Sequence, residues 1–295
     1  MDLNAVKMFV AAVQAGSLSA AATRLDVPLP TLSRRIRELE AELKVRLFER
    51  NARGVRLTDA GSRMFENVSR SIESLEDAAR AVGNDETQLK GLLRLSIPPS
   101  FEPWWELIAA FQRKYPHVQV SVYTTERRID LVEDGIDVAL RVGKIVHDAM
   151  VGRRLFSYGH VLVASPSLVA RHGTPTNPEG LRHMPCGVWQ SASGSHAIWQ
   201  LGDQRVEPPA VLLTNDYFHL RARAIAGDVV TELPPFLARD AVRRGELQLL
   251  LPAHPMPVHD ATLLYPSRRF VSSIVRAYIE FCVASTAEFC GGGAI

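Results

Sequence analysis

Thr31, Ser33, Arg34 and Arg37 fall on one side of a stretch, residues 30–43, whose other side carries Leu32, Ile36, Leu39 and Leu43 at spacings of four, three and four. Apolar residues at that period form a helical stripe, so the hydroxyls and guanidinium groups are left facing outward near the start of the helix. Groups of this kind donate to phosphate oxygens and to base edges in a major groove. Charge points the same way. Residues 24–56 hold nine Lys or Arg against five Asp or Glu, a net of +4, in a chain of 295 residues whose whole net charge is only +2. A basic segment in a nearly neutral chain is the electrostatic footprint of a polyanionic partner, although on spacing alone the same face fits an ordinary solvated basic helix.

The elements that would position this face can be read around it. Leu3, Val6, Phe9, Val10 and Val13 make a first amphipathic helix, with Gly16 suited to its C′ position and Ser17 to the cap of the next. This stretch carries Lys7 and lacks a basic leading region, so it reads as a domain helix and not a secretion leader. Residues 18–25 form a second, short helix whose Ala20-Ala21-Ala22 run allows close packing, and Asp26-Val27-Pro28 turns into the third. Two short helices joined by a tight turn, the second amphipathic, are the geometry that lays a helix in DNA. After Leu47-Phe48, residues 49–57 form a basic hairpin-like segment that contains Arg53 and turns at Gly54, a wing closed by Thr58 as the next N-cap.

A long helix comes next. Ala60, Met64, Val68, Ile72, Leu75, Ala79 and Val82 recur at near-heptad spacing over about 25 residues, a stripe that fits pairing with a second copy of itself better than packing on its own small domain. Residues 84–87 form a polar break, and the period changes after Gly91. Strands are expected at residues 92–97, 118–123, 138–142, 160–165, 210–214, 246–251 and 261–265. Helices are expected at 104–115, 129–134, 217–226 and 271–284. Strands and helices alternating in this way indicate βαβ units and a mostly parallel sheet.

The N-terminal segment resembles the winged helix-turn-helix of LysR-type transcriptional regulators. The resemblance rests on Ala20-Ala21-Ala22 and Leu25, then Pro30, Ser33-Arg34 and Ile36, then Leu39-Glu40, Leu43, Leu47-Phe48-Glu49-Arg50 and Leu57-Thr58-Asp59-Ala60-Gly61. Two departures stand out. Pro28-Leu29-Pro30 replaces the family's usual Ser-Gln-Pro, removing a side-chain cap and a base-reading glutamine, and Lys44 stands where a glycine usually ends the helix. The remaining residues are similar to the effector domain of the same family, itself like periplasmic binding proteins of type 2. Its landmarks here are Phe111 with Tyr115-Pro116, residues 137–143, Leu233-Pro234-Pro235-Phe236, Gly245-Glu246-Leu247 and Leu264-Tyr265-Pro266.

The resemblance implies a multidomain protein: an all-α winged helix-turn-helix domain at 1–58, a linker and dimerisation helix at 59–88, and an α/β effector domain at 89–295. The last is expected as two subdomains, 91–165 with 267–295 and 166–266, crossing near Ser165 and Pro266. Partners implied are double-stranded operator DNA, a second copy through the linker helix, a homotetramer built as a dimer of dimers, and RNA polymerase, all in the cytoplasm at the bacterial nucleoid. DNA contacts would fall to Pro30, Ser33 and Arg34 at base edges, Thr31 and Arg37 on or near the backbone, and Arg53 in the wing.

Small molecules bind beyond the carboxyl ends of strands in open α/β sheets. Those ends hold Ser100 and Phe101, Thr125, Val142 and Gly143, with Trp189 and Asn215 facing them. Hydroxyls and the free N–H groups of the helix starting near Phe101 suit a carboxylate-bearing effector, and Trp104, Trp189 and Phe218 would supply apolar surface. Catalytic patterns are missing. The nine histidines show no HExxH or His-x-His, and neither GxSxG nor a phosphate-cradling glycine motif occurs, so no enzyme, metal or resident cofactor is indicated. Cys186, Cys282 and Cys290 form no CxxC and read as buried or incidental thiols. No stretch reaches the ~18 apolar residues of a membrane span. The expected function is sequence-specific, effector-responsive transcription regulation. The alternative is a solute-binding-like small-molecule binder without specific DNA recognition.

Overall fold

A computed structural model describes residues 1–51, 54–81, 89–127, 130–131, 133–143, 150–190, 198–267 and 271–290. The chain divides into two compact units, Met1–Glu86 and Thr87–Ile295.

In the first unit, α1 (Leu3–Ala15) begins on Asp2, whose carboxylate accepts the Asn4 N–H, and ends on Gly16 at φ 66°. Helix α2 (Leu18–Arg24) begins on Ser17, whose hydroxyl accepts the Ala20 N–H at 3.0 Å. Helix α3 (Leu29–Leu43) starts on Pro28 without a side-chain cap, as its sequence requires, and Pro30 removes one N–H that would otherwise go unpaired. Ala21, Ala22, Leu32, Ile36 and Leu39 pack with Val6, Phe9 and Val10 into one core. The wing is an antiparallel ribbon of β1 (Phe48–Asn51) and β2 (Gly54–Leu57), which adds strand to the helical set. Its root is fastened by Glu40, whose carboxylate accepts the N–H groups of Leu47 at 2.7 Å and Phe48 at 3.1 Å.

Helix α4 (Asp59–Ala81) is capped by Thr58, whose hydroxyl accepts the Gly61 N–H at 3.0 Å and donates to the Arg46 carbonyl at 2.6 Å. The stripe expected to face a second copy divides. Met64, Val68 and Ile72 pack on the core of their own unit, whereas Leu75 is 56% exposed. Physically, the small three-helix core leaves one side open, and the first turns of α4 close it. Val82 and the polar break at 84–87 lie outside the described residues.

The second unit contains two five-stranded sheets. The first has the order β4-β3-β5-β14-β6, built from β3 (Gly91–Ile97), β4 (Val118–Thr124), β5 (Val138–Val142), β6 (Met150–Gly159) and β14 (Val258–Pro266). The second runs β11-β8-β12-β7-β13, from β7 (Val161–Ala164), β8 (Cys186–Trp189), β11 (Ala210–Thr214), β12 (Val230–Leu233) and β13 (Gln248–Leu250). In each sheet four strands share a direction, and one, β14 or β7, runs against them. A short hairpin, β9 (Trp199–Leu201) with β10 (Gln204–Val206), lies between β8 and β11.

Helices α5 (Glu102–Lys114) and α9 (Ser273–Cys290) cover one face of the first sheet. There Leu93, Leu95 and Ile97 meet Leu107, Phe111 and Tyr278. Asp137 ties β3 to β5, its carboxylate accepting the Arg94 N–H at 2.8 Å and its own N–H donating to the Arg94 carbonyl at 2.9 Å. In the second sheet, α6 (Pro166–His172) and the β9-β10 hairpin pack with Leu162, Cys186 and Val230 on one face. Helices α7 (Tyr217–Ile225) and α8 (Pro235–Arg243) pack with Val163 and Leu233 on the other.

Three expectations change. Strand β7 pairs with β12 and β13, and β14 pairs with β5 and β6, so the chain crosses at His160 and at residues 251–257, earlier than Ser165 and Pro266. The helix expected at 129–134 is a hydrogen-bonded turn over its described residues, with Asp134 N–H donating to the Asp130 carbonyl and Ile136 N–H to that of Leu131. Strands β6, β8, β9, β10 and β12 and helices α6 and α8 are additional to the expected set, being short or, in β6, without alternation of exposed and half-buried residues.

Candidate nucleic-acid interface and effector cleft

Burying Leu32, Ile36 and Leu39 turns the outer face of α3 toward solvent. Leu29, Pro30, Arg34 and Arg37 are exposed there, and Thr31 and Ser33 are half-buried. Arg34 pairs with Glu38 at 2.7 Å, one turn along the helix, and Arg37 Nε donates to the Ser33 carbonyl at 3.2 Å. An exposed pair of this kind is worth roughly 0–1 kcal/mol, so a phosphate or guanine edge can take Arg34 from Glu38 at small cost. Arg53 lies outside the described residues. Where the family pattern has glycine, Lys44 takes the left-handed conformation itself, at φ 56°.

In the second unit the carboxyl ends of the strands converge as expected, but with different roles. Ser100 sits at φ 58°, a conformation an L residue adopts only under constraint, and its hydroxyl donates to the Asp216 carboxylate at 3.1 Å. That bond joins the two sheets' ends, as does Arg221 with Glu102 at 3.3 Å. Phe101 is buried, its ring 4.9 Å from Phe236. The Thr125 hydroxyl is engaged locally by the Arg127 N–H. Val142 ends β5 against the first core, and Gly143, at φ 90°, donates to the Asp260 carbonyl. Across the cleft the Trp189 indole donates to the Asn215 carbonyl at 3.2 Å and stacks on Tyr217, with ring centroids 6.0 Å apart.

Trp104 is not a cleft residue. It is fully buried and donates to the Tyr278 hydroxyl at 2.9 Å. Phe218 instead packs on Trp105 and under Arg221, between α5 and α7.

Several cleft residues escaped the sequence reading. His160, at the crossing, lies 5.3 Å from both the Tyr217 and His259 rings, and burial pushes it down to about 3. Glu232 is buried beside Trp189, whose backbone N–H it accepts at 3.3 Å, and burial pushes it up to about 8. Burial also raises Glu126, which lies near the Trp189 indole and Asp216. The carboxylate-bearing effector expected from the hydroxyls thus meets carboxyl groups here. Glu232 could have been noticed as the one acid inside the apolar run 229–233.

Comparison with known proteins agrees with this two-part layout. A family model described as bacterial regulatory helix-turn-helix protein, lysR family, matches residues 3–62, and one described as LysR substrate binding domain matches 86–287. The chain belongs to the LysR family. It is a LysR-type transcriptional regulator with a DNA-binding helix-turn-helix domain and an effector-binding domain. It is 31% identical to an HTH-type transcriptional regulator of Xanthomonas campestris pv. campestris, covering 96% of this chain and 85% of that one. Its identity to the HTH-type transcriptional regulator PtxR of Pseudomonas aeruginosa is also 31%, covering 95% and 91%. The solved structure of CrgA, a LysR-type transcriptional regulator from Neisseria meningitidis, superposes with a TM-score of 0.63 at 26% identity, covering 98% of this chain and 99% of that one. The solute-binding alternative is not favoured, since the helix-turn-helix match is part of the same chain. No single helix among the described residues is long and apolar enough to cross a membrane.

Proposed function

We propose that α3 enters the major groove with Pro30, Ser33 and Arg34 at base edges, Thr31 and Arg37 on or near the phosphate backbone, and Arg53 in the wing. The observation that carries this is the exposed cationic face of α3 beside a basic ribbon rooted on Glu40. We assign residues 1–58 to DNA binding, 59–88 to the linker and 89–295 to effector binding.

Pairing through the outer half of α4 presents two reading helices, so the operator is an interrupted inverted repeat. A dimer of dimers arises from further self-association of the effector units, supported by the apolar residues Val122 and Tyr123 on edge strand β4 and Val211 and Leu213 on edge strand β11. RNA polymerase is a further partner, and the protein acts in the bacterial cytoplasm at the nucleoid. Ser100, Phe101, Thr125, Val142, Gly143, Trp189 and Asn215 border the effector site. A ligand there shifts the balance between open and closed arrangements of the two sheets, and so the spacing of the DNA-binding pairs.

Mobility shift on the gene's own upstream DNA, at two salt concentrations, tests this reading. A specific complex that weakens steeply with salt is expected. Arg34→Ala should cost about 1–3 kcal/mol of operator affinity without changing fold or oligomer. Unchanged affinity would remove Arg34 from the interface.

A further inference from the structure

Strands β8 and β12 are parallel neighbours whose pairing covers Val230 with Cys186 and Thr231 with Gly187, and beyond those pairs the ladder stops. The elements that follow the two strands pack on opposite faces. After β8 comes the β9-β10 hairpin, whose Trp199, Leu201 and Val206 join the face of Leu162 and Cys186. After β12 comes α8, whose Ala238 and Ala241 join the face of Val163 and Leu233. Adjacent parallel strands whose connections diverge in this way open a crevice at their carboxyl ends, the place where α/β sheets bind ligands.

The Glu232 side chain occupies that crevice. It is 7% exposed, one carboxyl oxygen accepts the Trp189 backbone N–H that the parted ladder leaves over, and Oε2 has no partner among the described residues. Burying a carboxyl oxygen without a partner costs free energy that a donor would recover. Around it stand the stacked rings of Trp189 and Tyr217, with Glu126 and Asp216 near the Trp189 side chain. Two cationic groups described near it are engaged or neutral. Arg221 is held by Glu102, and burial together with His259 keeps His160 uncharged at neutral pH.

A carboxylate ligand would meet three carboxyl groups here, of which Glu232 is protonated at neutral pH, and any ionised neighbour would repel it. An ammonium group would favour the ionised form of Glu232, whose proton is lost to water, and would find further acids and two aromatic faces, the surroundings that hold a desolvated cation. We infer that the effector is an amine, a protonated amino group on an aromatic or apolar body, donating to Glu232 Oε2 in the crevice between β8 and β12. This rests on the reading of the region between the sheets as the effector site.

Calorimetric titration of the full chain with matched pairs tests it: tyramine against 4-hydroxyphenylacetate, phenethylamine against phenylacetate, and hexylamine against hexanoate. At least one amine should bind while its acid does not. Glu232→Gln, which keeps an acceptor for the Trp189 N–H, should weaken that amine about tenfold or more with an unchanged far-ultraviolet spectrum. An acid binding in place of its amine, amine affinity unaltered in Glu232→Gln, or no amine binding at all would each overturn the inference. Mobility shift in parallel separates the two readings: a specific operator complex persisting under any of these results leaves the regulator reading intact, and its loss strikes that reading instead.

Discussion

Lys44 ends α3 in the left-handed conformation, its N–H reaching back to the Ala41 carbonyl. Left-handed geometry costs an L residue roughly 1–2 kcal/mol that glycine avoids. The strain persists because the next residues must turn sharply to let Leu47 and Phe48 reach Glu40. Lys44→Gly should therefore stabilise the N-terminal unit by about 1 kcal/mol, raising its calorimetric transition by about 4–8 °C. A lower transition would mean that the Lys44 side chain holds the turn. At this scale the sequence was partly legible. The missing glycine and missing cap could be seen, and both obey rules about single residues. Glu232 could not be placed, because a lone acid in an apolar run gives no sign of whether it faces solvent, a partner or a crevice until the neighbouring strand is known.

Among elements, the junction of wing and linker is the most tightly specified. Gly61 lies in the first turn of α4, and any Cβ there would sit well inside van der Waals distance of the Leu47 carbonyl oxygen and against the Leu57 side chain. The backbone after α3 and the start of α4 touch directly, so the ribbon is gripped between Glu40 on one side and α4 on the other. Gly61→Ala should cost the N-terminal unit about 1–3 kcal/mol and loosen the wing, visible as a lowered first transition and weaker operator binding. Retention of both would show that the ribbon can shift without consequence. The longer helices, their caps and the strands with a clear period were readable here because each has a local period or a punctuating residue. The crossings were not. Strands β6 and β7 are separated by His160 alone, and Gly159 before it does not by itself tell a passage between sheets from a turn within one, so such a boundary is decided by which strands pair at long range.

For the whole effector unit, two buried groups set opposing pH responses. Glu232 titrates near 4.5 when unfolded and about 8 when folded, so the folded state holds the extra proton between those values and stability falls as pH rises through that window. His160 titrates near 6.5 unfolded and about 3 folded, so the unfolded state binds more protons between those values and stability rises with pH there. Together they give a rise from about pH 3 to 4.5, partial cancellation to 6.5, and a fall from 6.5 to 8. Melting temperatures of the effector unit across this range should show that shape, and Glu232→Gln should remove the fall above 6.5. Equal melting temperatures for the unsubstituted protein at pH 6.5 and 8 would contradict a protonated, buried Glu232.

The chain passes between the two sheets twice, at His160 and at residues 251–257, and the passages are neighbours: beside them Gly159 pairs with Val258 and Tyr158 with His259. One covalent tether would let the halves swing, twist and slide. Two tethers side by side act as a door's pair of pins, opposing twist and slide and leaving one soft rotation about the line through both. A ligand that moves the two sheets would therefore move them along a single coordinate, so two distance probes spanning the cleft, at different heights above that line, should change in a fixed ratio whatever the ligand.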